Sequence, residues 1–231
     1  MIRQTLDMLT ITCFFGTRRR VEHQRTLSSL RRFGADETTW FSLVGLLLGS
    51  IVSLATVAGG EMGNPAVGAV IGGLAYLLIS GATPVAFLLQ PGRLVGNAAG
   101  LIGAPLLLAL IVANTDSAWA MGGAILLSYS LFSLQPWLAA PSPRTASLGP
   151  IVRPALVMGA GGSLAGIGVM AADAGVNGVL AGGMGFACGM VYYAMSVRNR
   201  DGYVPESFFG GLGCSQFVAL ATLLLLNGLA P

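Results

Sequence analysis

Asn97 and Gln216 are the strongest hydrogen-bonding side chains set well inside long apolar stretches, and Arg93 lies one helical turn before Asn97 on the same face. Neutral amides with a guanidinium at one mouth can bind, orient or pass a small polar solute. They are not groups that break bonds. Ionisable side chains inside an apolar span are the usual carriers of chemistry there, and this chain has almost none. Its one histidine, His23, falls in the polar N-terminal segment, which argues against haem or His–metal ligation within the apolar stretches. They contain no Ser/His, Asp/Asp or Glu/His constellation, which speaks against an intramembrane protease, a prenyltransferase or a carboxylate proton relay. The expectation is a protein that is not an enzyme, with no catalytic residue, metal or cofactor. Glu61 and Asp173 occupy corresponding loops and are expected to gate the outer end of a path lined by Arg93, Asn97 and Gln216. Tyr76, Tyr129, Tyr192, Tyr193 and Ser215 supply further neutral polar groups. Cys13, Cys188 and Cys214 show no metal or redox spacing and read as small apolar fillers.

The elements that must hold these residues are long and apolar. The chain of 231 residues is 54% hydrophobic and 9% charged, with a mean hydropathy of +0.77. Soluble domains carry about 25% charged residues, so the composition specifies an all-α polytopic membrane protein. A helix needs about 20 apolar residues to cross the hydrocarbon core. Seven stretches qualify, at 41–58, 66–89, 94–113, 118–140, 154–172, 176–197 and 207–230. Short connections rich in Gly, Pro, Asn and Asp separate them. The 34 glycines, many at four-residue spacing, suit close helix packing.

All twelve basic residues are arginine. With the N-terminus in the cytoplasm, every one falls on the cytoplasmic side, and Glu61, Asp116 and Asp173 are the charges of the external loops. The expected location is therefore the cell (inner) membrane, with an external or periplasmic C-terminus. Residues 1–38 form a basic arm whose apolar positions recur at helical spacing. Arg18, Arg19, Arg20, Arg31 and Arg32 are placed to meet anionic lipid head groups or a partner protein. The net charge of +3 gives no reason to expect nucleic acid. The expected partners are the bilayer and other membrane proteins or further copies of this chain.

Residues 39–114 lie on 152–227 without a gap, three spans on three. Gly49-Ser50 meets Gly162-Ser163, Asn64 meets Asn177 and Asn114 meets Asn227. The segment 115–150 is then a linker helix with a cytoplasmic loop, and 151–231 is the second repeat. Such a 3+1+3 plan is a parallel repeat about the membrane normal. It is similar in architecture to the seven-helix sugar transporters of the SWEET type and to the trimeric intracellular cation channels, though no residue motif of either is found. Asn64-Pro65-Ala66 matches the aquaporin tripeptide, but its counterpart is Asn177-Gly178-Val179 and the halves are not inverted. Asn64 reads instead as the N-cap of the second span with Pro65 at its first helical position, and Asn177 as the cap of the sixth. The functional expectation is a transporter or channel for a small neutral solute, with its route between the repeats. The alternative is a non-catalytic subunit of a larger membrane assembly.

Overall fold

The computed structural model describes residues 40–80, 105–139, 149–200 and 208–229. The arm and its arginines, together with Arg93 and Asn97, lie outside the described residues. Within them the fold is all-helical: α1 Phe41–Glu61, α2 Pro65–Ile79, α3 Pro105–Ala113, a 3-10 turn Thr115–Ser117, α4 Ala118–Ser133, α5 Gln135–Ala139, α6 Gly149–Arg200 and α7 Phe208–Leu229.

The turn between α1 and α2 is built from its sequence. Gly63 adopts φ +90°, and Asn64 follows in an extended conformation. The Asn64 side chain accepts from the amides of Ala66 at 3.1 Å and Val67 at 3.3 Å, with Pro65 opening the helix. These contacts satisfy two amides that a helix start leaves without intrahelical partners. Gly59 and Gly68 then let the two helices touch backbone to backbone: a Cβ on Gly59 would lie 2.5 Å from Gly68 Cα.

Helix α6 is two helices in one run. Gly175, at φ 59° and ψ −135°, reverses the chain. A Cβ on Gly178 would strike Met170 O, and one on Gly182 would sit 3.0 Å from Ile167 Cγ1. Residues this far apart in sequence meet only if the arms 149–174 and 176–200 are antiparallel. The second arm runs antiparallel to α7 in turn, with Gly185 beside Ala219 and the Tyr193 ring over Gly211.

The centre of the bundle is α4. Every residue from Ala118 to Ser133 is buried except Trp119. Helix α1 packs on it through Gly49 and Gly122, and the first arm of α6 packs through Gly166 and Gly123. Both run antiparallel to it. Phe132 carries the packing onward, edge-on to Phe41 at 5.0 Å between ring centroids and tilted against Tyr193 at 5.9 Å. The segment expected to link two halves is thus the most enclosed element.

The outer surface is apolar: Leu46, Leu54, Ile71, Leu78, Val157, Leu164, Val176 and Val191 are all exposed. A soluble monomer rarely carries so much contiguous apolar surface. Among the described residues three helices are long and apolar enough to cross a membrane: Phe41–Glu61, Pro154–Arg198 and Gly210–Leu229. The pair Pro105–Ala113 and Thr115–Ser133, bent by 75°, makes a further candidate span. Charge separates by end. Glu61, Asp116 and Asp173 stand where α1 meets α2, α4 begins and α6 reverses, whereas Arg153, Arg198 and Arg200 lie toward the opposite end.

Candidate functional site: a buried polar column beside the central helix

Gln216, in α7, is fully enclosed, as are Tyr76 in α2 and Ser128 in α4. The Ser128 hydroxyl donates to Ile125 O at 2.8 Å. With its hydrogen committed there, Ser128 can only accept from Gln216, whose Nε2 lies 2.7 Å away. The Tyr76 hydroxyl lies against the same amide, 2.7 Å from Nε2, from which it accepts, and 3.0 Å from Oε1, to which it donates. Three helices distant in sequence are joined at one point without a charge.

Toward the basic end, Ser42 donates to Met158 O at 3.0 Å and lies 3.4 Å from the Ser133 hydroxyl. Gly162 makes room for this group: a Cβ there would collide with Ser130 Oγ and come within 3.0 Å of Ser42 Oγ. Along the bundle, the hydroxyls of Ser130, Ser163 and Ser215 and, nearer the acidic end, the Asn114 Oδ1 are buried with no hydrogen-bond partner among the described residues. Buried polar atoms are paired in the large majority of cases, so these four mark the interior as unusual.

Toward the acidic end, Ser53 donates to Ala118 O at 2.8 Å and Asn114 Nδ2 reaches Leu220 O at 3.2 Å. Asn177 Nδ2 donates to Asn227 Oδ1 at 3.1 Å, and Asn227 Nδ2 donates to Ser117 Oγ at 3.3 Å. Asp173 Oδ2 accepts from the Ala120 amide at 2.8 Å. Ser117 makes no side-chain cap of its own, so the central helix takes its N-terminal acceptor from the turn between the α6 arms. We expect Asp173→Ala to lower stability by about 1 kcal/mol, the usual loss of a cap. Asp173→Asn, which keeps an acceptor oxygen, should lose less. Thermal unfolding of the purified variants measures both, and equal losses would count against the cap.

Of the residues singled out from sequence, Gln216 sits in the middle of this column. Asp173 is at its acidic end, and Glu61 is the exposed last residue of α1. Asn64 caps α2, whereas the Asn177 amide bonds to Asn227 across to α7. Sequence reasoning missed Ser128 and Asn227 as partners. The signal for Ser128 was present: "LLSYSLFS", residues 126–133, sets hydroxyls on several faces of one helix, which suits a helix with no face toward lipid. A half-open cavity of about 90 Å³ lies between α1, α4 and the first arm of α6, lined by Leu46, Gly49, Ser50, Ser53, Trp119 and Gly122. It is well below the roughly 300 Å³ at which ligand pockets begin. Among the described residues no three of His, Cys, Asp and Glu come together as a metal site. No family model, curated protein or solved structure matches the chain, so its chemistry rests on this column alone.

Proposed function

We propose that this chain is a seven-span protein of the cell membrane that passes a small neutral solute between its two halves, past the central helix. The observation that carries the reading is the column itself. Neutral hydroxyls and amides are buried on several faces of α4 between Ser117 and Ser133, several without partners, and no charge lies among the described buried residues. A solute that donates and accepts hydrogen bonds would complete those groups; an ion would find no counter-charge. The described helices cover the first, fifth and sixth expected spans, most of the fourth and seventh, and parts of the second and third. In support of the 3+1+3 repeat, α1 and the first arm of α6 both run antiparallel to α4, and the turns at Asn64 and Asn177 fall at the same end. The segregation of Arg from Asp and Glu supports a cytoplasmic N-terminus and an external C-terminus.

Topology is checked by labelling whole cells with an impermeant maleimide. Asp116→Cys should label from outside, and Arg198→Cys only after permeabilisation. The reverse pattern would invert the orientation, and labelling of both from one side would remove the seven-span plan.

A second reading, a non-catalytic subunit of a larger membrane assembly, is favoured by one feature. Gly161, Ala165, Gly168 and Ala172 form an outward stripe on the first arm of α6, and Gly161 and Gly168 face open space. Small residues at this spacing suit a neighbouring helix. Purification in mild detergent separates the readings. A lone particle that carries solute in proteoliposomes supports transport, and a stoichiometric co-purifying membrane protein with no uptake supports the subunit.

A further inference from the structure

The antiparallel register of the second α6 arm and α7 places Gly185 against Ala219, Gly189 against Ser215 and Tyr192 against Gly210. Cys188 and Cys214 fall opposite each other in that same register, one turn from the Tyr192–Gly210 contact. Both thiols are free. The backbones are unusually close here because Gly185 and Gly189 have no side chain to hold them apart. A Cβ on Gly189 would stand 3.2 Å from Ser215 Cβ, so the two helices come close beside the cysteine pair. Both cysteines are half-buried, in a seam flanked by the exposed apolar side chains of Met184 and Val191. A reagent reaching them from the side must be soluble in lipid.

We infer that Cys188 and Cys214 form a redox-active dithiol that closes to a disulfide with a lipid-soluble quinone as oxidant, fastening the second arm of α6 to α7. The step balances. Two S–H bonds break and one S–S bond forms, and the two electrons and two protons pass to the quinone, which leaves as the quinol. Exchange with an added dithiol reverses it by thiolate attack on one sulfur. Closure would hold α6 and α7 together two residues from Gln216, beside the polar column. The inference rests on the seam facing lipid but not on transport.

The test uses the full chain in liposomes with Cys13→Ser, leaving two thiols. The oxidant is tetramethylbenzoquinone, whose ring has no open position for thiol addition. Liposome flotation reports membrane insertion separately, so a failure of insertion is distinguished from a failure of pairing. The expected result is loss of both maleimide-reactive thiols in a species that stays monomeric, with one quinol formed per chain and recovery by dithiothreitol. Adding Cys188→Ser or Cys214→Ser should leave the remaining thiol reactive. Retention of both thiols in floated protein would overturn the inference. So would cross-linking between chains, or equal loss in the single-thiol variants.

Discussion

Gln216→Leu should abolish solute uptake into proteoliposomes while the protein remains folded and inserted. The side chain is fully enclosed and joins Tyr76 to Ser128. Leucine fills a similar volume but leaves the Tyr76 hydroxyl without this acceptor. Losing these buried hydrogen bonds costs about 0.5–1.5 kcal/mol each, so thermal stability should fall as well, and a loss of uptake alone would be ambiguous. The double variant Tyr76→Phe with Gln216→Leu resolves it. Replacing both partners by apolar groups of like shape is close to neutral, so the pair should recover most of the stability. Ser128 tolerates the change because its hydrogen goes to Ile125 O. If Gln216 serves the solute, uptake stays lost in the stable double variant. If Gln216 only joins helices, the double variant regains whatever uptake the single lost. Normal uptake by either variant, measured by light scattering as vesicles swell, removes Gln216 from the path.

The parts legible in the sequence are those decided by a few neighbouring residues. Asn64-Pro65 announces a helix start because the side-chain oxygen and the proline ring act within one turn, and the structure has that bond pattern. The run "DAGVN", residues 173–177, carries its own reversal because glycine can take the positive φ that Gly175 adopts. The central position of α4 was harder. Aligning the two halves leaves the fourth span over as a connection, and periodicity within one helix does not say what surrounds it. Asp173 reads as a loop carboxylate because capping another helix is a tertiary event. The meeting of Cys188 with Cys214 was out of reach for the same reason, since the register between two helices is written in neither. Gln216 stood out early because an amide deep in an apolar span has few uses, but its partners Tyr76 and Ser128 come from two other helices.

Gly122→Ala should destabilise the bundle by driving α1 away from α4. A Cβ on Gly122 would collide with Ser53 Oγ and lie 2.8 Å from Gly49 O. Ser53 can turn aside only by giving up its bond to Ala118 O. The Gly49 backbone cannot turn aside at all, because it belongs to α1. The reverse contact is no looser, with a Cβ on Gly49 placed 2.5 Å from Gly122 O. Helices α1 and α4 therefore meet backbone to backbone, as small residues permit in membranes. One methyl must drive α1 outward and break its packing along the centre. Overpacking of this kind costs about 1–3 kcal/mol, and here the upper end is expected because the obstacle is main chain on both sides. Gly168→Ala is the matched control. It lies in a helix of the same bundle, and a Cβ there meets nothing within 4 Å. Replacing a mid-helix glycine by alanine should stabilise by roughly 0.5–1 kcal/mol where space allows. The two variants should thus move the unfolding temperature of the purified protein in opposite directions. A Gly122→Ala protein as stable as the parent would mean that α1 and α4 stand further apart than described, and the burial of α4 on which the polar column depends would fall with it.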